Sequence, residues 1–251
     1  MSDTSSREGL NFAEENIWYQ LMTLHGVAES PGSDERAAIH AKNRDLWNRW
    51  TLPALSDETI KILGLTHLEP LTKDEIANID GNFPIEELPD PNNQIDLSRT
   101  LFSAPLKAVG FTFPSRTDFT DSKFERTADF TDAYFEDHVF FHNARFEGFA
   151  TLNNAHFKGH TLFNQSKFER ASNFDDVIFE FNAFFNNAQF KGPVSFKNMH
   201  FDGQAVFTNC EFKRHTGFDG TYFMSPPVFH RVELHQDKGR AGQSQSGCKG
   251  G

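Results

Sequence analysis

Cysteine occurs only twice in 251 residues, and tyrosine and tryptophan three times each. Two cysteines cannot frame a disulfide-stapled fold or a cysteine-rich zinc site. Glycine, at 17, is far too sparse for collagen. No run of apolar residues approaches the length of a membrane span, so no transmembrane helix is expected. The opening MSDTSSREGLNFAEEN lacks the basic and apolar regions of a secretory signal, so a soluble, cytoplasmic protein is the expectation. Positive charge is also short, with 24 Lys and Arg against 35 Asp and Glu, a net −11. The deficit lies mostly in residues 1–112, with 9 basic against 18 acidic side chains. Residues 113–230 hold 11 against 15, and residues 231–251 hold 4 against 2. Neither large region is basic, which argues against a nucleic-acid binder. The one residue in excess is phenylalanine, at 29. That aromatic content excludes disorder for most of the chain.

The first part reads as helical. Ile17, Trp18, Leu21, Met22 and Leu24 stand at helical spacing within 12–25, and Gly26 follows as a C-cap. Ile39, Leu46, Trp47 and Trp50 form a stripe within 34–50, stopped by Pro53. Ser56-Asp57-Glu58 opens a short helix that Gly64 ends, and Thr72-Lys73-Asp74-Glu75 is a capping box before Ile76 and Ile79. The proline-rich stretch 80–94 reads as a linker. The expected division is a helical region 1–79, the linker 80–94, a repeat domain 95–230 and a disordered tail 231–251.

The repeat decides the fold. From Phe113 to Phe229 an aromatic centre recurs with steps of 6, 5, 6, 5 over 22 positions, 21 of them Phe and one Leu152. A helix turns about 100° per residue, so these steps would scatter the rings around it. A continuous strand fails as well, because odd steps flip the face and even steps do not. The chain must turn a corner between centres. Two residues before each centre stands a small side chain in most repeats, as at Ala128, Ala133, Ala144, Ala150, Ala155, Ala183, Ala188, Ala205 and Cys210. Residues two apart on an extended segment face the same way. Each side of a polygon therefore points one small residue and one Phe inward, and four sides make a coil of 22 residues. Phe111, Val139, Val177, Val194, Met199 and Pro227 depart from the small position and suggest local widening. Phe149, three residues before Leu152, is expected to fill part of the volume that Leu152 leaves.

Segments such as AYFED, ARFEG, AHFKG and AQFKG resemble the pentapeptide-repeat family in its Phe-centred version with alternating five- and six-residue units. The likeness spans about 113–230, with a degenerate start at Ile95-Asp96-Leu97 and Phe102. NIWYQLMTLHG and KNRDLWNRW look like the helical N-terminus of bacterial members. The resemblance implies a mainly β fold, a right-handed quadrilateral β-helix behind a small all-α region. Some relatives carry membrane spans; this chain has none, so no membrane role is carried over.

Residues 22 apart should stack in columns on four outer faces. The first face carries Lys123, Arg145 and Lys167 before the ring and Glu125, Glu147 and Glu169 after it, a neutralised ladder. The second shows Asp129, Thr151, Asn173, Ser195 and Gly217 and is polar. The third presents Tyr134, His156, Ile178, His200 and Tyr222, and the fourth Phe140, Leu162, Phe184, Val206 and Val228. Such apolar columns are either a protein contact surface, a surface covered by the helices or the tail, or part of the coil wall.

No Walker A loop, GxGxxG, GxSxG or HExxH motif occurs, so no catalytic residue, cofactor or metal is expected. His156 and His200 lie two coils apart, about 10 Å, too far to share a zinc. His138 and His142 lie on turns, Cys210 at an inward position and Cys248 in the tail, none within a recognisable ligand or nucleophile pattern. The reading is a non-catalytic protein-binding or scaffold protein, a possible homodimer through the coil edge or the apolar faces, with its partner unidentified. The alternative that the resemblance raises is a DNA-mimicking inhibitor or protector of type II topoisomerase. That alternative needs an acidic rod, and this one carries a net −4.

Overall fold

The structure, a computed structural model, describes residues 9–27 and 33–234. Its larger part is a parallel β-solenoid of about six turns, built from two-residue strands on four faces. Three faces carry six strands each. The first carries eight, from Asn11–Phe12 through Thr100–Phe102 and Lys123–Phe124 to Glu233–Leu234. Within the coil each strand pairs with the one 22 residues on, as Arg145 does with Lys123 and Lys167, and no slip interrupts the ladder. The first coil begins at Ile95, whose side chain is buried with Leu97, Phe102 and Leu106.

Every centre from Phe113 to Phe212 is buried, Leu152 included. The rings stack in columns down the axis, with centroids 4.6 to 5.0 Å apart and planes within 8° from Phe102 through Phe124, Phe146, Phe168 and Phe190 to Phe212. Neighbouring columns meet edge to face, as Phe163 does with Phe174. This combines the two geometries in which aromatic quadrupoles attract. The five departures that stand in closed coils, Phe111, Val139, Val177, Val194 and Met199, are all buried, and the register passes through them unbroken. Phe149 is a correction. It is exposed, with the Arg170 guanidinium 6.0 Å from its ring. Strand alternation explains this: Leu152 and Ala150 point inward, so the odd step to Phe149 turns it out.

Two kinds of corner turn the chain. In the five-residue steps the second residue after the centre has positive φ, at Asp121, Asp132, Asn143, Asn154, Gln165, Asp176, Asn187, Asn198 and Asn209. Asn and Asp tolerate this left-handed region best among residues with a side chain. Their side chains also bond along the column, with Asn143 donating to Asp121 at 2.7 Å and Asn154 to Asp132 at 3.1 Å. In the six-residue steps the equivalent position approaches the previous turn. A Cβ on Gly148 would lie 2.2 Å from the Arg126 carbonyl, and one on Gly192 2.3 Å from the backbone of Arg170.

The helical region closes one end of the coil. The elements are α1 (Ile17–Met22), α2 (Ser33–Thr51), α3 (Asp57–Ile62) and α4 (Lys73–Ile79). Ser56 caps α3, Gly64 stands in the left-handed conformation beyond it, and Thr72 with Glu75 forms the capping box of α4. The segment expected as one helix over 12–25 is divided. Asn11–Phe12 is a strand, Ala13–Glu15 a 3-10 turn, and only Ile17–Met22 is α-helical. Asn16 causes the break, because its side chain accepts from the amides of Trp18 and Tyr19 as an N-cap. Within 80–94, Phe83 is buried in the core that the helices share with the solenoid. Beyond residue 230 the coil continues through Glu233–Leu234, paired with Glu211–Phe212. The rest of the tail expected as disordered, with Cys248, lies outside the described residues.

The first coil has no preceding coil, and side chains supply what one would have. Asn48 accepts from the Thr112 amide at 2.9 Å and donates to the Gly110 carbonyl at 2.9 Å, while Trp47 donates to the Thr112 carbonyl at 2.6 Å. Asn16 donates to the Asp96 carbonyl on the fourth face, and Asn11–Phe12 pairs with the first. Trp47 stacks on Phe111, and Tyr19 meets Phe102 edge to face.

Two substitutions test these contacts. Gly148→Ala should lower stability by about 1–3 kcal/mol, because backbone must move to admit the methyl group. Gly217→Ala, where nothing lies nearer than 3.8 Å, should change the melting temperature little. Asn48→Ala leaves the buried Thr112 amide without its acceptor, a loss of about 1–3 kcal/mol. Denaturant melts and amide exchange at Thr112 read the effect.

Candidate binding surfaces

The outward columns differ in what they can do. On the first face the charges pair among themselves. Lys123 lies 3.4 Å from Glu125 and 3.3 Å from Glu147, Arg145 lies 3.2 Å from Glu147, and Lys191 lies 2.9 Å from Glu169. Toward the C-terminal end the order inverts, with Glu211 before the ring and Lys213 after it, 3.1 Å apart. Lys123 is buried among these pairs, whereas the pairs of Arg145, Lys191 and Lys213 are more open and contribute little each; together they leave no acidic stripe on this face.

The third face divides along its length. Tyr134 is a correction to the expected contact surface, because it is 3% exposed and lies under α3. Its hydroxyl accepts from Thr59, and the Ser56 amide and Glu58 reach Glu136 and Lys158 beside it. Burial pushes the Tyr134 phenol up, the hydrogen bond with Thr59 opposing. Farther along, His156 is half-buried and bonds Glu180 at 2.6 Å. Ile178 is exposed, His200 stacks on Tyr222 and pairs with Asp202 at 3.3 Å, and Tyr222 is 51% exposed. Exposure therefore rises with distance from the helices. On the fourth face Phe140, Leu162, Phe184, Val206 and Val228 are all half-buried, and the Arg116 guanidinium lies 4.2 Å from the Phe140 ring. The helices do not reduce this column to core, nor does it stand clear of its neighbours.

Sequence reasoning placed the contact surface on the coil's sides and described its C-terminal end only as an open strand edge. There Phe218 and Phe223 are half-buried, Phe229 is 45% exposed, and Met224 and Leu234 are more exposed still. The 22-residue count could have shown this, since these residues occupy the last layer.

Among the described residues no group of three or more His, Cys, Asp and Glu side chains is arranged to hold a metal. No helix among them is long and apolar enough to cross a membrane. Cys210 is buried and its thiol contacts the Phe185 carbonyl. Burial pushes that thiol up to about 12.

A family profile described as Pentapeptide repeats (9 copies) matches residues 141–189 and 185–233. Residues 141–233 are pentapeptide repeats of that family. The matched residues are coils of the four-faced solenoid, so profile and geometry describe the same repeat. Neither among curated proteins nor among solved structures is there a significant match. The pentapeptide-repeat solenoid is a fold of structural character, consistent with a scaffold or binding protein.

The thiol gives a direct test of the interior. At pH 8 the reactive thiolate at Cys210 should be scarce, because its pKa lies far above that of a free cysteine. Iodoacetamide should therefore leave the peptide containing Cys210 unmodified in the native protein and alkylate it fully in guanidinium, as read by mass spectrometry. Rapid native labelling would mean that the coil opens at that layer.

Proposed function

We propose that this pentapeptide-repeat protein is a non-catalytic scaffold that binds other protein surfaces, and that the C-terminal end of its coil docks against the same end of a second copy. The asymmetry of the two ends carries this reading. The N-terminal end is covered by helices that satisfy its backbone and its rings. At the other end Phe218, Phe223 and Phe229 stack on the rings of the coil before them, and no described strand stacks on them in turn, so that they and Met224 are left partly exposed. The chain beyond Leu234 reads HQDKGRAGQSQSGCKGG, in which Ala241 and Cys248 are the only apolar side chains. It offers little to cover aromatic rings. A second copy offers the same rings, and a two-fold axis lets one patch meet itself. The last strands, Thr216–Gly217, Tyr222–Phe223 and Glu233–Leu234, also end their sheets, leaving main-chain groups to pair across such a contact. A scarcity of cysteine suits a cytoplasmic setting. The DNA-mimic alternative draws no support from the first face, where acids and bases alternate.

Light scattering on a gel-filtration column tests the reading. The expected mass is twice the 28.6 kDa of the chain, and Met224→Asp with Phe229→Asp should give a monomer of unchanged circular dichroism. Leu162→Asp with Phe184→Asp should leave the dimer intact. If that second pair separates the copies instead, the contact lies on the fourth face. A wild type that stays monomeric at high concentration overturns the self-association. A DNA-supercoiling assay with a type II topoisomerase should show no inhibition; inhibition would restore the alternative.

A further inference from the structure

On the second face the first strand, Leu106–Lys107, has no strand paired over it. A cleft of about 530 Å³ opens there between α2, the end of α1 and the first two coils. That is the size of a small-molecule site. Met22, Val27, Ile39 and Pro105 supply the apolar part of its lining, and it is shaped by Asn43. This buried side chain donates to the Gly26 carbonyl and accepts from the His25 amide, fixing the segment that forms one wall.

Its charge is opposite to that of the protein. Arg36, Lys107 and Arg126 line the cleft from three separate elements, and none makes an ion pair among the described residues. On the first face, by contrast, bases stand beside acids. Arg44 lies close by, its side chain 3.0 Å from where a Cβ on Gly110 would be. An acid also stands at this corner, Asp129, the strand partner of Lys107, and it is engaged by the amide and hydroxyl of Thr131. His40, which also lines the cleft, bonds the Val109 carbonyl. Burial lowers its pKa first, Val109 and Asp129 oppose, and the positive charges of Arg44 and Lys107 lower it further. Burial is thus the main cause, and the two cations add to it.

We infer that this cleft binds a small organic anion, one with an apolar or aromatic body for the apolar part of the lining and a carboxylate, sulfonate or phosphate head for Arg36, Lys107 and Arg126. That apolar part removes water from one side of the head group and strengthens its attraction to the cations. Arg36, Lys107 and Arg126 give that head three cationic partners on one cleft, and Asp129, the acid beside Lys107, is already engaged by Thr131.

Anilinonaphthalene sulfonate is a probe of this chemistry, and phenylnaphthylamine carries comparable rings without the charge. The wild-type full-length protein should bind the sulfonate saturably, with enhanced blue-shifted fluorescence, and should bind the neutral analogue far more weakly. Lys107→Gln with Arg126→Gln, both on exposed side chains, should weaken the sulfonate about tenfold or more. Raising salt to about 0.5 M should weaken it in the wild type as well. Met224→Asp with Phe229→Asp, at the opposite end, should leave the affinity unchanged. This separates the cleft from the dimer surface, so either reading can fail without the other. Equal affinity for the two probes, or sulfonate binding unaffected by Lys107→Gln with Arg126→Gln, overturns the inference. Loss of binding in the Met224 and Phe229 variant also overturns it, because the probe would then report the exposed rings at the far end.

Discussion

The stack of phenylalanine rings is the contact on which the rest depends. A ring spacing near 4.8 Å is also the separation of neighbouring strands in the hydrogen-bonding direction. The side-chain ladder and the backbone ladder therefore share one period, and each enforces the other's register. A small residue two positions earlier leaves room for the ring opposite, so a centre and its partner together fill one side of a layer. This explains why Val, Met and even Phe111 are tolerated at the small position while, from Phe113 onward, the centre departs from Phe only once, at Leu152. The ring holds the register, and the smaller position fills the volume that remains.

A solenoid of this kind has only its ends to manage. Each coil satisfies its neighbour, so unsatisfied backbone groups collect at the first and last turns. At the N-terminal end the sequence uses side chains in place of a coil: Asn48, Trp47 and Asn16 meet carbonyls and amides that a preceding turn would otherwise meet. At the C-terminal end no described element does this. The same physical requirement thus yields a closed terminus and an open one, and the polarity of the rod follows from which end the helices occupy.

The coil was legible in the sequence because one spacing, read over 22 centres, excludes helix and strand alike and leaves a polygon. The caps at Ser56 and Thr72 were legible because their signals are local. What escaped was non-local. Nothing near Asn11 announces that it pairs with Thr100, and the helix expected over 12–25 failed because Asn16 works as a cap inside an apolar pattern. Phe149 was misplaced by counting volume instead of strand parity. The outward columns were correctly aligned, as Tyr134, His156 and Ile178 do stack. Their accessibility was not readable, since the cover over Tyr134 comes from α3, 75 residues earlier. The basic cleft was invisible for the same reason: Arg36, Lys107 and Arg126 are scattered through the chain.

The six-residue corners carry a longer rhythm than the coil itself. From Arg126 onward, glycine and a bulkier residue alternate down each of these two columns: Arg126, Gly148, Arg170, Gly192 and Arg214 in one, and Asp137, Gly159, Phe181, Gly203 and Ser225 in the other. Gly148 and Gly192 are 44 residues apart, as are Gly159 and Gly203. A pair of coils can be copied or lost without bringing two bulky corners into contact, whereas a single bulky-cornered coil cannot be copied, nor a single glycine-cornered one lost. If the rod grew or shrank by single coils, a homologue that lost a glycine coil would need to rebuild its corners.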